Sequence, residues 1–449
     1  MKRYFNLFLG LLLGVVLGAC SSNTAEQALR PDWTYSSVVY EMNVRQQTEE
    51  GTFAAAEKRL PFLKELGVDI IWLMPIHPIG EKGRKGSLGS YYAIRNYREV
   101  NPEFGTMQDF EQFLAAAHSE GFRVILDLVA NHTSPDSEWV EGRDASWYHR
   151  DSTGQPIVQY DWTDISKLNY ENQDLRDEMI SMMKFWIEKG VDGFRCDVAG
   201  EVPDDFWSRA FSEVRQLNSD VYFLAEGEGV HFHEHGFDAT YSWEFLHLME
   251  DVAKGKKPAL EIRKWLDGMM AEYPKEAFRL MFTSNHDENS WAGTEFERMG
   301  AAYETMAALT YVLPQGQPLI YTGQEIGFDR RFKFFDKDPV LDWTPTKHTA
   351  FYKKMNTLRH ENPALMAGEQ GGEFQYMTGT VDPVLAFTRI KSENQVFSVF
   401  NLSNEVQPLL PTVAVEGKWT NCLTGEQVEI KSGEEMSLQP WQYFILTRK

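Results

Sequence analysis

The chain has 449 residues, of which 43% are hydrophobic and 13% aromatic, enough to bury a large core, so global disorder is excluded. The formal net charge of −22 at pH 7 argues against a nucleic-acid partner, because phosphate backbones are bound by clustered Lys and Arg. The length exceeds one ordinary domain, but barrels of alternating strands and helices reach it as a single unit.

The N-terminus carries the pattern of a secretion signal. A basic start is followed by an apolar stretch, about residues 4–17, that is too short for a typical membrane-spanning helix. The stretch ends in LGAC, which resembles a bacterial lipobox, a signal whose cysteine is lipidated after cleavage. We therefore expect a signal peptide over 1–20, a tether over 21–34 and anchoring in the cell envelope through lipidated Cys20. Ordinary signal-peptidase cleavage is the alternative.

Helices and buried strands alternate through the middle of the chain. Three amphipathic helices are each followed by a glycine (Gly67, Gly121 or Gly190) and then by an apolar strand. Strands are predicted near residues 38–43, 68–74, 122–128, 191–197, 221–226, 237–241, 278–284 and 318–321. Eight parallel strands covered by helices predict a (β/α)8 TIM barrel over residues 35–366. The sixth strand is the weakest, since it follows the fifth too closely for a full helix between them.

Two segments depart from this alternation. Residues 131–170, between the third and fourth strands, are polar, rich in Trp, Tyr, Asp and Gly, and lack a helical period. A loop of that length in a compact domain is usually functional. Residues 367–449 contain short alternating runs divided by Gly, Asn, Ser and Pro, which predict an antiparallel β domain.

Acidic residues lie at or just past the ends of three predicted strands: Asp197, Glu226 and Asp287. The C-terminal ends of barrel strands surround one pocket. Two carboxylates facing each other across a sugar–sugar bond are what glycoside hydrolysis requires. The arrangement therefore favours a glycosidase.

Each carboxylate has a chemical interpretation and an alternative. Arg195, on the same strand face as Asp197, favours the ionised form that a nucleophile needs, although a structural ion pair explains the same pattern. Glu226 follows apolar neighbours, so burial would keep it protonated as a general acid, with Glu228 as its rival. Asp287 would stabilise positive charge in the transition state, or else cap a turn.

Several further residues are candidates for substrate or metal contacts. Asn131 and His132, after the strand that carries Asp127, offer donors and acceptors for sugar hydroxyls. Three alternating histidines after the fifth strand are interpreted as part of a loop near the cleft rather than as a metal site. The candidate aromatic platforms for sugar rings are Trp162, Trp291, Phe332 and Trp343, each of which core packing also explains.

Four segments, DLVANH, GFRCDVAG, FLAEGE and FTSNHD, resemble in order and spacing the four signature regions of the α-amylase family, glycoside hydrolase family 13. Further similarities are GSYYAIRNY with VNPEFGT, DWTDISKLN, and LIYTGQEIG, so that the resemblance extends from about residue 39 to 325. It implies a small insertion domain over 131–170 and a C-terminal antiparallel β-sandwich domain over 367–449.

The resemblance also implies roles for individual residues. Asp197 matches the nucleophile, Glu226 the acid/base and Asp287 the transition-state stabiliser of a retaining mechanism through a covalent glycosyl-enzyme. The residues matching those that contact the sugar are Tyr92, His132, Arg195 and His286, while Asp127 and Asn131 are assigned structural roles.

The expected substrates are α-1,4-glucans such as starch and maltooligosaccharides, in a lipoprotein similar to α-amylases and neopullulanases. α-1,6-Glucosidase or neopullulanase activity and glycosyl transfer are alternatives, because the same three carboxylates serve all of them. A non-catalytic glucan-binding relative would lack a carboxylate, and all three are present. Family members with the well-known calcium site have His four residues after the nucleophile, where this chain has Glu201. No cofactor is expected to be required, and the motifs do not support a Ca2+ or other metal site.

Overall fold

A closed barrel of eight parallel strands forms the centre of the computed structural model, which describes residues 30–449. The strands are Val39–Met42, Ile70–Leu73, Arg123–Leu128, Gly193–Cys196, Tyr222–Ala225, Ala239–Tyr241, Phe278–Met281 and Gly316–Tyr321. Each strand pairs with the next in chain order, and the eighth pairs with the first. All eight predicted strands are present, and the TIM barrel is confirmed.

Helices cover the outside of the barrel, and the longer amphipathic ones, such as Met107–Ser119 and Gln173–Glu188, bury one apolar face against it. The α-helices are Val44–Gln47, Phe53–Glu57, Leu60–Leu66, Met107–Ser119, Glu138–Gly142, Gln173–Glu188, Asp204–Arg215, Val230–Glu234, Trp243–Ala253, Leu260–Glu272, Glu295–Met299, Tyr303–Val312 and Lys347–Glu361, with a π-helical turn at Glu288–Ala292. The predicted glycines Gly67, Gly121 and Gly190 all have the left-handed φ expected where a helix ends before a strand. Between the fifth and sixth strands the connection holds only the short helix Val230–Glu234.

The 131–170 segment folds beside the mouth of the barrel. A two-stranded antiparallel sheet, His132–Thr133 with Ser166–Lys167, closes its base. Between these strands lie the helix Glu138–Gly142 and a single 3-10 turn at Ala145–Trp147, which the sequence did not predict. The segment is therefore a small insertion after the third barrel strand, partly helical rather than purely a loop.

The C-terminal region is antiparallel, as predicted. Its strands are Glu373–Tyr376, Val384–Lys391, Asn394–Asn401, Gln407–Leu409, Gly417–Asn421, Gln427–Ile430, Met436–Leu438 and Tyr443–Arg448. Six of them form one sheet, and Gln407–Leu409 pairs with Met436–Leu438 in a second. Residues of both sheets, including Phe397, Trp419 and Leu438, share one buried cluster, so the region is a β-sandwich with one small sheet.

The N-terminal end of the described chain packs on the face of the barrel where the strands begin. The Arg30 guanidinium donates to the Asp238 carbonyl oxygen at 3.3 Å, just before the sixth strand. Trp33 packs against Tyr222, the first residue of the fifth strand, with ring centroids 5.8 Å apart. Residues 30–34, which the sequence assigned to the tether, thus lie against the barrel. The predicted signal peptide and Cys20 lie outside the described residues. Within 30–449, no helix is both long enough and apolar enough to cross a bilayer.

Candidate active site

Strand register brings the catalytic candidates to one level at the C-terminal edge of the barrel. Arg195 is paired with Asp127 on the third strand, and Cys196 with Ala225 on the fifth. Asp197 and Glu226 are the next residues of their strands, so both side chains leave the sheet at the same height. This register is why carboxylates separated along the chain meet in space.

Arg195 connects these groups. Its Nη1 lies 2.9 Å from Asp127 Oδ1 and also 2.9 Å from Asp197 Oδ1. Its Nη2 is 2.9 Å from Glu226 Oε2, without the alignment of a hydrogen bond. The guanidinium is fully buried and lies over the ring of Trp72, 5.1 Å from its centroid. One buried cation thus faces three carboxylates.

Burial and nearby negative charge both affect the protonation of Asp197. Burial, reinforced by the Glu226 carboxylate, raises the pKa of Asp197 well above its usual range, and Arg195 opposes that shift. The sequence placed the desolvation at Glu226. Both side chains are largely buried, since the Asp197 side chain is 8% exposed and the Glu226 side chain 13%.

Val198 holds Glu226 through its backbone. Its N–H donates to Glu226 Oε2 at 2.6 Å. To do so the residue adopts φ 36°, ψ 51°, a left-handed conformation that is rare for a β-branched side chain. Such local strain persists only where the surrounding fold imposes it, and it concentrates at functional sites.

Asp287 lies beside a protonated histidine. His286 Nδ1 is 2.5 Å from Glu41 Oε1, and its Nε2 is 2.8 Å from the Tyr92 hydroxyl and 3.4 Å from Asp287 Oδ2. Burial alone would lower the pKa of His286, but the Asp287 and Glu41 carboxylates raise it to about 9. The ring is therefore cationic at neutral pH. Tyr92 passes the chain of hydrogen bonds on to Asp127 Oδ2 at 3.0 Å.

His132 has the opposite character. Burial lowers its pKa to about 4, so the ring is neutral at pH 7. Asn131 Nδ2 is 3.1 Å from His132 Nδ1 and donates to Gln159 Oε1 at 2.7 Å, which fixes the ring against the insertion. A neutral imidazole can donate to or accept from a sugar hydroxyl.

The candidates surround one cavity of about 390 Å³. The predicted residues that line it are Tyr92, His132, Asp197, Glu226, His286 and Asp287, together with the platform candidates Trp162 and Trp291. The remaining predicted site residues, Asp127, Asn131 and Arg195, are buried behind them as supports. Phe332 is buried among Tyr321 and Phe328, and Trp343 stacks under Arg59, so these two are packing residues.

Sequence reasoning missed several residues of the site. Lys85, Asp164, Phe334 and Phe335 also line the cavity. The signal for the phenylalanines was the run RRFKFF in the loop after the eighth strand, where aromatics interrupt a basic segment. Glu41 was missed too, although a lone acid within the buried strand Val39–Met42 marks a charge that needs a partner.

The residues do not fit a calcium ion. Glu201 accepts hydrogen bonds from the Tyr160 hydroxyl at 2.5 Å and from Lys167 Nζ at 3.1 Å, so a cationic side chain already occupies its carboxylate. Asn131 Nδ2 donates to Gln159 Oε1 at 2.7 Å and lies 3.1 Å from His132 Nδ1. Across residues 30–449 no group of three or more His, Cys, Asp or Glu side chains is placed to hold a metal. His233, one of the three alternating histidines, lies buried in the helix Val230–Glu234.

Comparisons with known proteins agree with this geometry. An alpha-amylase of Haloarcula japonica is 30% identical over 417 residues, covering 88% of this chain and 59% of that protein. Neopullulanase 2 of Thermoactinomyces vulgaris is 27% identical over 425 residues, covering 86% and 69%. The crystal structure of an alpha-amylase from Lactobacillus plantarum superposes with a TM-score of 0.83 at 30% identity, covering 93% of this chain and 100% of that one. The chain spans 59% and 65% of the length of the first two curated relatives it matches.

The family profile described as the catalytic domain of alpha amylase matches residues 37–146 and 141–340, which include every barrel strand and all three candidate catalytic carboxylates. This match covers more than half of the chain. The protein therefore belongs to the α-amylase family of glycoside hydrolases.

Proposed function

We propose that this protein hydrolyses α-1,4-linked glucans with retention of anomeric configuration. One observation supports the proposal most directly: Asp197 and Glu226 contact the same guanidinium and open into the same cavity. Retaining glycosidases need their two carboxyl groups close together, because one must bond to the sugar carbon while the other serves the departing oxygen. Arg195 brings the Asp197 and Glu226 carboxylates close together, since an oxygen of each lies 2.9 Å from one of its nitrogens.

In the first step, Glu226 gives its proton to the glycosidic oxygen while an Asp197 carboxylate oxygen bonds to the anomeric carbon. The bond from that carbon to the glycosidic oxygen breaks, and the leaving chain departs with the proton. In the second step, Glu226 takes a proton from water, the water oxygen bonds to the anomeric carbon, and Asp197 leaves as carboxylate. Arg195 favours the ionised Asp197 at both ends of this cycle and reduces the upward shift of its pKa that burial and Glu226 cause.

Asp287 and His286 act on the sugar itself. Positive charge grows on the ring carbon and ring oxygen as the bond breaks, and the Asp287 carboxylate at the cavity wall stabilises it. The cationic His286, whose ring nitrogens contact Glu41 and the Tyr92 hydroxyl, places a positive charge beside Asp287 at the cavity wall. Tyr92, stacked on His286 with centroids 5.3 Å apart, presents an aromatic surface to the cavity.

The first test is the pattern of bonds that the protein cleaves. Maltooligosaccharides, panose and pullulan are supplied separately, and proton NMR follows the anomer released at early times. We expect cleavage of maltooligosaccharides with the α-anomer appearing first. Release of the β-anomer would contradict retention. Faster turnover of the α-1,6 bond in panose would favour the neopullulanase or α-1,6-glucosidase alternative, whose members share these carboxylates.

We also propose that activity does not require calcium. The ion pair between Lys167 of the insertion and Glu201 of the barrel, 3.1 Å long, joins the parts that a metal would otherwise join. Dialysis against a chelator is expected to leave the turnover rate and the melting temperature unchanged. A fall in either quantity that added Ca2+ restores would contradict this. Lys167→Met should lower the melting temperature, whereas Lys184→Met, another half-buried lysine paired with a glutamate, serves as the matched control.

We further propose that the protein is a lipoprotein of the cell envelope, anchored through Cys20. The support is the LGAC sequence that ends the apolar N-terminal stretch. Expression of the full chain with radiolabelled palmitate is expected to label the protein, and Cys20→Ser to abolish the label. An unlabelled but exported wild-type protein would contradict the anchor and favour ordinary signal-peptidase cleavage.

A further inference from the structure

The loop after the second barrel strand crosses the edge of the cavity. We call residues 80–90 the bridging loop. On one side, the Ser87 N–H and hydroxyl donate to Asp336 Oδ1 at 2.8 and 2.5 Å, and the Leu88 N–H donates to the Phe335 carbonyl at 2.9 Å. These contacts tie the bridging loop to the loop that follows the eighth strand.

On the other side, the bridging loop is tied to the insertion. The Glu81 N–H donates to Asp136 Oδ2 at 2.8 Å. Lys85 Nζ lies 3.0 Å from Asp164 Oδ1, and the Asp164 side chain is only 5% exposed. Exposed ion pairs contribute little, but a partly buried one is screened less by water and holds its partners more firmly.

The packing between the two barrel loops is close. At Gly86 the backbone has φ 60°, and a Cβ added there would lie 2.4 Å from the Cβ of Phe335. Only glycine accommodates both that backbone conformation and that approach. Phe335 in turn packs on Trp291, after the seventh strand, with ring centroids 5.7 Å apart. A continuous wall therefore joins the loops of strands two, seven and eight to the insertion.

The positions of the proton donor and the nucleophile determine how the glucan chain lies in the cavity, and hence which end of it meets this wall. Glu226 protonates the leaving oxygen, so the departing part of the glucan lies beside Glu226 and Val198. The part that becomes bonded to Asp197 extends the opposite way, past Tyr92 and His286. Phe334 stacks on Tyr92 with ring centroids 6.3 Å apart and packs against Phe335 of the wall at 5.2 Å, so the wall adjoins the Tyr92 side. Lys85 and Asp164 of the wall line the same cavity. Val198 and Glu226 line the cavity on the leaving side, and among the described residues none between Glu226 and His286 does.

We infer that the bridging loop closes the non-reducing end of the binding site, so that the enzyme cleaves inward from chain ends and releases short products. Lys85 and Asp164 supply a donor and an acceptor for the hydroxyls of the terminal sugar, which a chain passing through the site could not present. The inference rests on the proposed function and adds to it the direction of attack and the role of the bridging loop in specificity.

The test compares two maltoheptaoses, both labelled at the reducing end, one with its non-reducing end free and the other blocked by a 4,6-benzylidene group. Chromatography follows the labelled products. We expect the wild type to cleave the blocked substrate at least about 100-fold more slowly than the free one, because a closed pocket discriminates to that extent. Similar rates on both would overturn the inference and leave the proposed function standing. Failure to cleave either substrate would instead contradict the proposed function.

Two variants open the wall at different places. Asp336→Ala removes the acceptor of Ser87, and Lys85→Met removes the ion pair with Asp164 while keeping the side-chain length. Each should raise the rate on the blocked substrate relative to the free one by about tenfold. Asp342→Ala and Lys82→Met, at exposed positions of the same two loops, are the matched controls and should leave that ratio unchanged. An unchanged ratio in both opening variants would overturn the role of the bridging loop.

Discussion

Replacing Asp197 by asparagine is expected to abolish turnover without destabilising the fold. The amide keeps the shape but cannot bond to the anomeric carbon, so kcat on maltooligosaccharides should fall by about three orders of magnitude or more, roughly 4 kcal/mol of transition-state stabilisation. Steady-state kinetics with a sensitive product assay measures the loss. Asp205→Asn, at an exposed carboxylate on the next helix, is the control and should retain activity.

The stability of the same variant separates a nucleophile from a structural ion pair. An acid whose pKa is raised by folding destabilises the folded state once the pH exceeds its ordinary value. Burial and the Glu226 carboxylate raise the pKa of Asp197. At pH 7 the Asp197→Asn change therefore removes a buried negative charge that lowers the free energy of unfolding. The melting temperature of the variant at pH 7 is expected to equal or exceed that of the wild type. At acidic pH, where Asp197 is protonated in both states, the two melting temperatures should agree. A marked loss of stability with activity retained would contradict the assignment.

The substitution Glu226→Gln should impair the two chemical steps unequally. Without a proton donor, cleavage of an unactivated sugar–sugar bond is expected to slow by about 100- to 10,000-fold, the usual contribution of general acid catalysis. A glycosyl fluoride needs no such proton, so its first step should remain fast. Because the amide of the variant cannot deprotonate water, the covalent glycosyl-enzyme should then accumulate, and mass spectrometry of the intact protein detects the added mass.

The matched control is Glu228, the rival carboxylate two residues later. It accepts from Arg279 Nη2 at 2.7 Å and from the Glu244 N–H at 3.0 Å, and it does not line the cavity. Glu228→Gln should therefore change kcat little, because this carboxylate faces Arg279 rather than the cavity. Loss of activity in Glu228→Gln, with Glu226→Gln active, would reverse the assignment of the acid.

The barrel and the positions of its carboxylates follow from local patterns. Apolar runs such as VDGFRCD fix where the strands lie, and an acid one residue past a strand end has to emerge at the barrel mouth. Local sequence patterns do not predict how deeply each acidic side chain is buried. The run before Asp197 contains Asp192 and Arg195, whereas the run before Glu226, VYFLA, carries no charge. Asp197 is nevertheless the more buried of the two, because the assembled neighbourhood of Arg195 encloses it.

Contacts between distant loops were beyond sequence reasoning. Glu41 and His286 are 245 residues apart along the chain, so the cationic state of His286 depends on closure of the first strand against the rest of the barrel. Likewise, Lys85 of the bridging loop contacts Asp164 of the insertion only once both segments have folded at the barrel mouth. Side chains of this kind carry charge and specificity, yet their sequence surroundings are those of an ordinary surface loop.

The packing of Arg30 and Trp33 on the strand-starting face determines how an attached protein would be oriented. The polypeptide leaves the barrel on the side opposite Asp197, Glu226 and Asp287. A lipid at Cys20, as proposed above, would attach the protein through the strand-starting face, on which Arg30 and Trp33 pack. The catalytic opening then faces outward, where a polysaccharide too large to approach a membrane surface can still present its chain ends.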